Sequence, residues 1–407
     1  MEYIKYRSLK VQGIKVLPFY LLTLLLFAFT GCIEKYEADI PADETGLLVV
    51  EGTITPGNNT FILQRTEALD SYYSYNMVTD AKVSVHGTDG SVYQANNDYS
   101  SSSYTCYIEE LNPDVQYYLH IETDGEVYET DPQTPLRTEK IADVKGDQST
   151  PQSDIDILVT PAEPYDNSKI NYYTWTYVET WEVHPDYNTF IYYDVEARTC
   201  VNTNHLIYPE RGWKDAASSS IMVGSSTSYE GQHINQMKLY DVARDHEKMF
   251  VRYSGLVQQR AISKAEYEYE LARRQAGTEM GGLFTPQPSA LPTNIHCLTS
   301  KKHVIGFVGC ALNTSAYRFF LDPKDYSISR PAEKDMRRWV EDPTADECVE
   351  MVKNGLHLCE WDNSYMSPEG KPILKTAWAY EYQLDVRYRG AYIEEPDFWH
   401  LTENVSY

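Results

Sequence analysis

Between residues 45 and 138 the chain alternates apolar and polar positions in short runs broken by turn residues. Leu47-Leu-Val-Val-Glu-Gly-Thr-Ile-Thr55 is rich in β-branched side chains and stops at Pro56-Gly57-Asn58-Asn59. Phe61–Thr66 follows, and Ala81–His86 alternates into the turn pair Asp89-Gly90 and on to Ser91–Gln94. Ser103–Ile108 alternates again, and Tyr117–Glu122 turns through Asp124-Gly125 into Glu126–Thr130. A period of two places successive side chains on opposite faces, as a sheet buried on one side needs. The Asp-Gly pairs tolerate the positive φ of tight hairpins. About seven strands at such spacing predict an immunoglobulin-like antiparallel β-sandwich over residues 45–138. Glu67–Asp80, which carries Tyr72, Tyr73 and Tyr75, reads as a long loop at one end and a candidate contact for a ligand or partner.

After Thr134-Pro135 the pattern becomes longer and less regular, and residues 139–407 read as a larger β-rich domain. Lys169–Val183 is a long aromatic strand with Trp175, Tyr177 and Glu179 on one face and Thr174, Thr176 and Val178 on the other. Met249–Gln258, Val304–Ala311 and Trp378–Val386 are further strands. Ser263-Lys-Ala-Glu266 fits a capping box, with Ala265, Tyr269 and Ala272 at helical spacing and an end near Gly277. A second helix is expected over Ala332–Val340. Gly281–Pro292 must be extended because its prolines exclude helix and central strand. Pro286 and Pro288 there are stiff enough to brace a loop against a partner. The expected class is mainly β, with one or two short helices.

The N-terminus follows different rules. Lys5, Arg7, Lys10 and Lys15 precede an apolar run from Val16 to Phe29. Such a run is short of the roughly 20 residues that span a bilayer, and its order is that of a secretory signal over residues 1–31. Phe29-Thr30-Gly31-Cys32 resembles a bacterial lipobox, although Phe29 stands where Leu is commoner. The resemblance implies cleavage before Cys32 and lipidation of its thiol and amino group. Residues 32–44 are acidic and lack apolar periodicity, as in a solvated tether. Their early acidic residues resemble the surface-export signals of Bacteroidota lipoproteins, so the expected location is the outer membrane, lipid-anchored and at the cell surface.

Composition narrows the partners. Lys and Arg number 35 against 60 Asp and Glu, a net charge of −25. Nucleic acid is excluded as a partner, since phosphate binding needs clustered basic residues. An anionic membrane surface gives this body no attraction either, which leaves anchoring to the lipid. Tyrosine is in large excess, 35 against 11 Phe, as suits half-buried strands and ligand-facing loops. Six cysteines follow Cys32, an even number that permits three disulfides in an exported protein. Cys348 and Cys359 are the easiest local pair.

Catalytic motifs are missing from the sequence: there is no GxSxG elbow, HExxH helix, Walker loop or GxGxxG. No metal ligand set and no cofactor are expected. Asp241–Glu247 is the densest polar cluster and reads as a solvated turn. Glu179 lies near Trp175 and Trp181, and carboxylates beside aromatics are common at sugar sites. Glu179 and Glu182, however, are three apart and face opposite sides of a regular strand, whereas a hydrolase needs two carboxylates across one bond. Glu179, Trp175 and Trp181 therefore stand as candidate ligand contacts.

Leu48–Ile54, Tyr172–Glu182, Tyr267-Glu-Tyr269, Gly281–Pro288 with Asn294-Ile295, and Pro396-Asp-Phe-Trp399 follow one another along the chain. Taken in that order, these five segments resemble domain-of-unknown-function family 4249, a group of outer-membrane lipoproteins. The resemblance implies an accessory role beside a TonB-dependent β-barrel transporter and supplies no catalytic residue. Asp385-Val-Arg-Tyr-Arg-Gly390 departs from the family's Cys-containing stretch before a Gly-rich turn, so it supports no disulfide by analogy. The expected function is non-enzymatic binding or assistance in nutrient uptake, with a glycan or peptide as ligand. The alternatives are a structural or adhesive surface protein and, further off, a glycan hydrolase.

Overall fold

The computed structural model describes residues 46–66, 76–98, 103–164, 168–219, 221–278, 291–332 and 334–407. Those residues are mainly β, arranged in several sheets with three short α-helices. Residues 1–31, Cys32 and the tether, Tyr72, Tyr73, Tyr75, Pro286 and Pro288 lie outside the described residues.

Ten strands make the first sheet. Their spatial order is Ile295–Cys297, Glu126–Thr130, Tyr117–Thr123, Lys82–Gly87, Val92–Asp98, Ser103–Ile108, Gly57–Arg65, Leu48–Ile54 and Val304–Cys310, with Asn76–Met77 beside Gly57–Arg65. Alternation does what the sequence implies: Val50, Ile54, Phe61, Leu63, Val85, Leu119 and Ile121 are fully buried in one core. Asp124 and Gly125 have φ of 53° and 76°, the positive pair that a type I′ hairpin turn requires. The row takes strands from both sides of the crossing expected near residue 138.

The two ends of that row meet, leaving a nearly closed, barrel-like sheet. Asn294 Nδ2 donates to the Val308 carbonyl (2.9 Å) and Asn294 Oδ1 accepts from Val308 N–H (3.1 Å). A side-chain amide thus satisfies backbone groups that would otherwise form an open edge. On its other side Val304–Cys310 runs parallel to Leu48–Ile54. The approach depends on Gly306, which has φ of +122° and whose Cβ, were one present, would lie 2.0 Å from the Val50 carbonyl oxygen.

The second region is centred on the strand Tyr172–Val183. It pairs with Gly212–Ala217 and Met222–Ser225 on one side and Tyr253–Ala261 on the other, followed outward by Ser315–Leu321 and Val405–Ser406. A three-stranded sheet, Met237–Val242, Ile155–Pro161 and Ile141–Asp147, contributes to the same core, where Trp175, Val257, Phe319 and Ile157 are fully buried. Two chain crossings join the regions side by side. Leu136 N–H donates to Cys310 O, Leu312 N–H to Leu136 O, and Thr138 Oγ1 to Asn313 O (2.6 Å). Helix Lys264–Thr278 braces the junction: Tyr269 lies against Phe307 (5.7 Å between ring centres), and the buried pair Arg260–Glu266 (2.5 Å) sits over Gly309. Ser263 Oγ accepts from Glu266 N–H as expected, but the Glu266 carboxylate turns to Arg260.

A small lobe grows from two excursions, residues 184–211 and 334–393. It holds the hairpin Ile191–Asp194 with Thr199–Asn202, helix Ala345–Lys353, and a sheet of Arg338–Glu341, Pro372–Tyr380 and Leu356–Met366. Its core is Trp378, Tyr193, Cys348, Met351, Leu356 and Leu358. Three expectations fail here. The strand expected over Trp378–Val386 stops at Tyr380, and Glu381–Leu384 turns into a short helix. Residues 338–340 of the anticipated second helix belong to the strand Arg338–Glu341, and the helix begins after Thr344, whose reciprocal bonds with Glu347 form a capping box. Cys348 and Cys359 are not joined: the six described cysteines are free thiols. Cys348 is packed among the lobe's apolar side chains, while Cys359 Sγ donates to the His357 carbonyl. Burial pushes the Cys359 thiol up to about 12, so it stays protonated and unreactive.

Candidate functional site

The aromatic strand brings its predicted residues together, but inside the protein. Trp175 is wholly buried and donates from Nε1 to Gln259 Oε1 (2.9 Å). Glu179, on the same face, accepts from Lys248 Nζ (2.6 Å) and from the Tyr253 hydroxyl (2.9 Å), which lies 2.9 Å from the Tyr240 hydroxyl. The Lys248 ammonium also stands 5.2 Å over the Trp181 ring, and Trp181 Nε1 donates to Glu247 (3.3 Å). Glu247 in turn holds Lys214 (2.7 Å). Burial raises the Tyr253 and Tyr240 phenols well above their ordinary range, so both remain donors. A buried carboxylate needs such partners, and each oxygen of Glu179 has one. Within the Asp241–Glu247 cluster Asp241, Asp245 and His246 are exposed, as a solvated turn requires, while Glu247 and the following Lys248 turn inward and Lys248 supplies the cation for the buried carboxylate.

Glu182 projects from the opposite face. It accepts from Trp399 Nε1 (2.9 Å), lies 2.8 Å from His184 Nε2, and faces Arg211 at 3.9 Å. Arg252 donates to the carbonyls of Trp399 and Leu401 and stands 4.4 Å over the Phe320 ring. Arg318 lies 3.4 Å over Phe398. This network fastens the C-terminal Pro396–Trp399 motif, whose Trp399 is buried. The two glutamates thus stand back to back on one strand and do not flank a common bond.

What the molecule offers to solvent lies elsewhere, on the small lobe. Among the described residues, twelve of the eighteen exposed large apolar or aromatic side chains are on its two stretches. They include Phe190, Tyr192, Met336, Trp339, Tyr365, Met366, Tyr380, Tyr382 and Tyr388. Several are held in place. Tyr380 and Tyr382 stack at 5.9 Å with 12° between planes. Trp339 Nε1 donates to Asp335 (2.7 Å), and the Arg337 guanidinium lies 4.8 Å from the ring centres of both Trp339 and Tyr187. Hydrogen bonds from Arg337 and Trp339 hold the Asp335 carboxyl well below the usual carboxylate range. Lys375 stands 4.4 Å over Tyr365. Exposed aromatics fixed by cations and hydrogen bonds lose little rotational freedom when covered.

Sequence reasoning missed this surface because its members are scattered in short polar stretches. The segments it singled out there, Ala332–Val340, Cys348 with Cys359, Trp378–Val386 and Asp385–Gly390, were read as helix, disulfide, strand and departure from a family pattern, and none as an exposed aromatic surface. The tyrosine excess was the available signal, and it does not say which tyrosines are exposed.

A model of the family DUF4249, a domain of unknown function, matches residues 33–316, more than half of the chain, and the chain belongs to that family. The match ends before most of the small lobe and before Pro396–Trp399. No curated protein matches the chain. A similar solved structure is a DUF4785 family protein from Legionella pneumophila, at 12% identity over 53% of this chain and 51% of that one, with a TM-score of 0.17. The chain spans about half the length of that protein, and a likeness so low carries no argument.

Proposed function

We propose that this protein is a lipid-anchored, non-enzymatic outer-membrane lipoprotein of the Bacteroidota type, held at the cell surface, that assists a TonB-dependent β-barrel transporter. The observation that carries the reading is the ordered aromatic surface of the small lobe. Exposed aromatic clusters of this kind mark protein-facing surfaces. The buried carboxylates support binding over hydrolysis, since Glu179 and Glu182 are engaged by structural partners on opposite faces of one strand. Lipid on Cys32 supplies the anchor, at ~0.8 kcal/mol for each buried methylene. The immunoglobulin-like first unit serves as a spacer, and its first strand starts at Leu48, a short tether away from Cys32.

Two measurements test the parts separately. Cys32→Ser moves the protein from the membrane to the soluble fraction; retention on the membrane refutes lipid anchoring. Affinity capture from mildly solubilised outer membranes recovers a stoichiometric β-barrel protein, and Tyr380→Ser/Tyr382→Ser loses it. Recovery of this protein alone at normal abundance refutes the accessory role.

A further inference from the structure

An open groove of ≈ 500 Å³ lies between helix Lys264–Thr278 and strand Met222–Ser225, away from the lobe surface. On one wall the rings of Tyr172 and Tyr267 meet at 4.9 Å between centres, inclined by 41°. Both rings are half-buried, and neither phenol oxygen has a hydrogen-bond partner among the described residues. The facing wall carries hydroxyls: Ser225 Oγ lies 2.6 Å from Thr227 Oγ1, and both Thr227 and Ser228 are exposed. The charged residues lining the groove, Lys264 and Glu268, pair with each other at 3.3 Å, one helical turn apart. On a chain of net charge −25, the groove is locally neutral.

We propose that this groove binds a neutral glycan chain. The face of a sugar ring is apolar and its rim is a ring of hydroxyls. Aromatic faces with polar tips on one side and hydroxyls that donate and accept on the other match those two features. The mutual pairing of Lys264 and Glu268 leaves no free charge for the termini of a peptide or for an acidic sugar. Gly224 lets the floor of the groove pack closely on the core beneath it, because a Cβ there would meet Met237 Sδ at 2.5 Å and the buried Trp175 at 2.8 Å. The inference goes beyond the transporter reading and does not depend on it.

The test is calorimetric titration of the full-length protein, with no transporter present. The probes are neutral oligosaccharides (maltoheptaose, xylohexaose, cellohexaose, mannohexaose), with an uncharged hexapeptide and hexagalacturonate as contrasts. At least one neutral oligosaccharide binds, Tyr267→Ala weakens it by roughly tenfold or more, and Tyr267→Phe keeps most of the affinity. Thr227→Val, at an exposed position whose substitution leaves the fold intact, weakens it severalfold. No binding by any neutral oligosaccharide at about 10 mM overturns the proposal. So does tighter binding of the peptide or the acidic sugar, or equal binding by wild type and Tyr267→Ala. Because no partner protein is involved, failure here leaves the transporter reading standing, and failed capture of a barrel leaves this one standing.

Discussion

The barrel-like first sheet and the small lobe spend the same residue in opposite ways. In the first sheet Tyr104, Tyr117 and Tyr128 are almost wholly buried. Tyr104 donates to the Val78 carbonyl (3.0 Å) and accepts from Ala81 N–H, and Tyr117 accepts from Asn112 N–H (2.9 Å). These rings fill the core, and the hydroxyls of Tyr104 and Tyr117 pin loops to it. In the lobe Tyr365, Tyr380, Tyr382 and Tyr388 face solvent, and stacking orders Tyr380 and Tyr382 while a cation contact orders Tyr365. The tyrosine excess therefore has two causes, one structural and one directed outward. Substitutions in the interior should cost stability, and substitutions on the lobe should cost binding.

The largest effect is expected at the buried ion pair that stands for the interior mode. Lys248→Met leaves Glu179 enclosed without its cation and costs about 3–5 kcal/mol in chemical denaturation. Adding Glu179→Leu restores most of that loss; a double variant as unstable as the single one would show that the pair is not the cause. Next comes the seam of the first sheet. Asn294→Ala strips the buried Val308 N–H of its partner, while the Val308 carbonyl keeps the Gln133 side-chain amide (2.6 Å); it should cost ~1–3 kcal/mol, with faster amide exchange at Val308 and the lobe unchanged. Spread of the exchange into residues 345–380 would show that the two regions fold as one.

A smaller effect is expected from pH at the root of the lobe. Burial pulls the Asp385 carboxyl up, but hydrogen bonds and charge from Arg387 outweigh it and hold it below the ordinary range. A carboxylate lowered in the folded state stabilises above its unfolded value of roughly 3.9 and loses that contribution as pH falls through the folded value. Stability of the wild type should thus drop more steeply below about pH 4 than that of Asp385→Asn, with the two curves converging in acid. Parallel curves would remove Asp385 from the account. The smallest stability effect belongs to the lobe surface: Tyr382→Ala should change unfolding free energy by less than about 0.5 kcal/mol while weakening partner capture. A loss of several kcal/mol there would make Tyr382 a structural residue.

The contrast also explains what could be read from the chain. Alternation with Asp-Gly turns identified the strands through Thr130 because local geometry decides them. The strand Val304–Cys310 was legible too, but its parallel place beside Leu48–Ile54 was not, since that pairing joins residues some 250 positions apart. Residues 338–340 looked helical, yet they lie in a strand and pair with Thr376–Trp378, where tertiary pairing overrides a weak local preference. Glu179 and the tryptophans were found as a cluster. Their burial depended on Lys248, which the sequence places 69 residues from Glu179.

The most direct test of a partner-facing lobe compares exposed tyrosines in the two regions. A photocrosslinking residue is placed in turn at Tyr382 on the lobe and at Tyr107, which is 65% exposed on the first sheet, and whole cells are irradiated. The account predicts a covalent adduct with an outer-membrane β-barrel from position 382 and none from position 107. An adduct from 107 alone, or from neither position in cells where the protein is abundant, would contradict it.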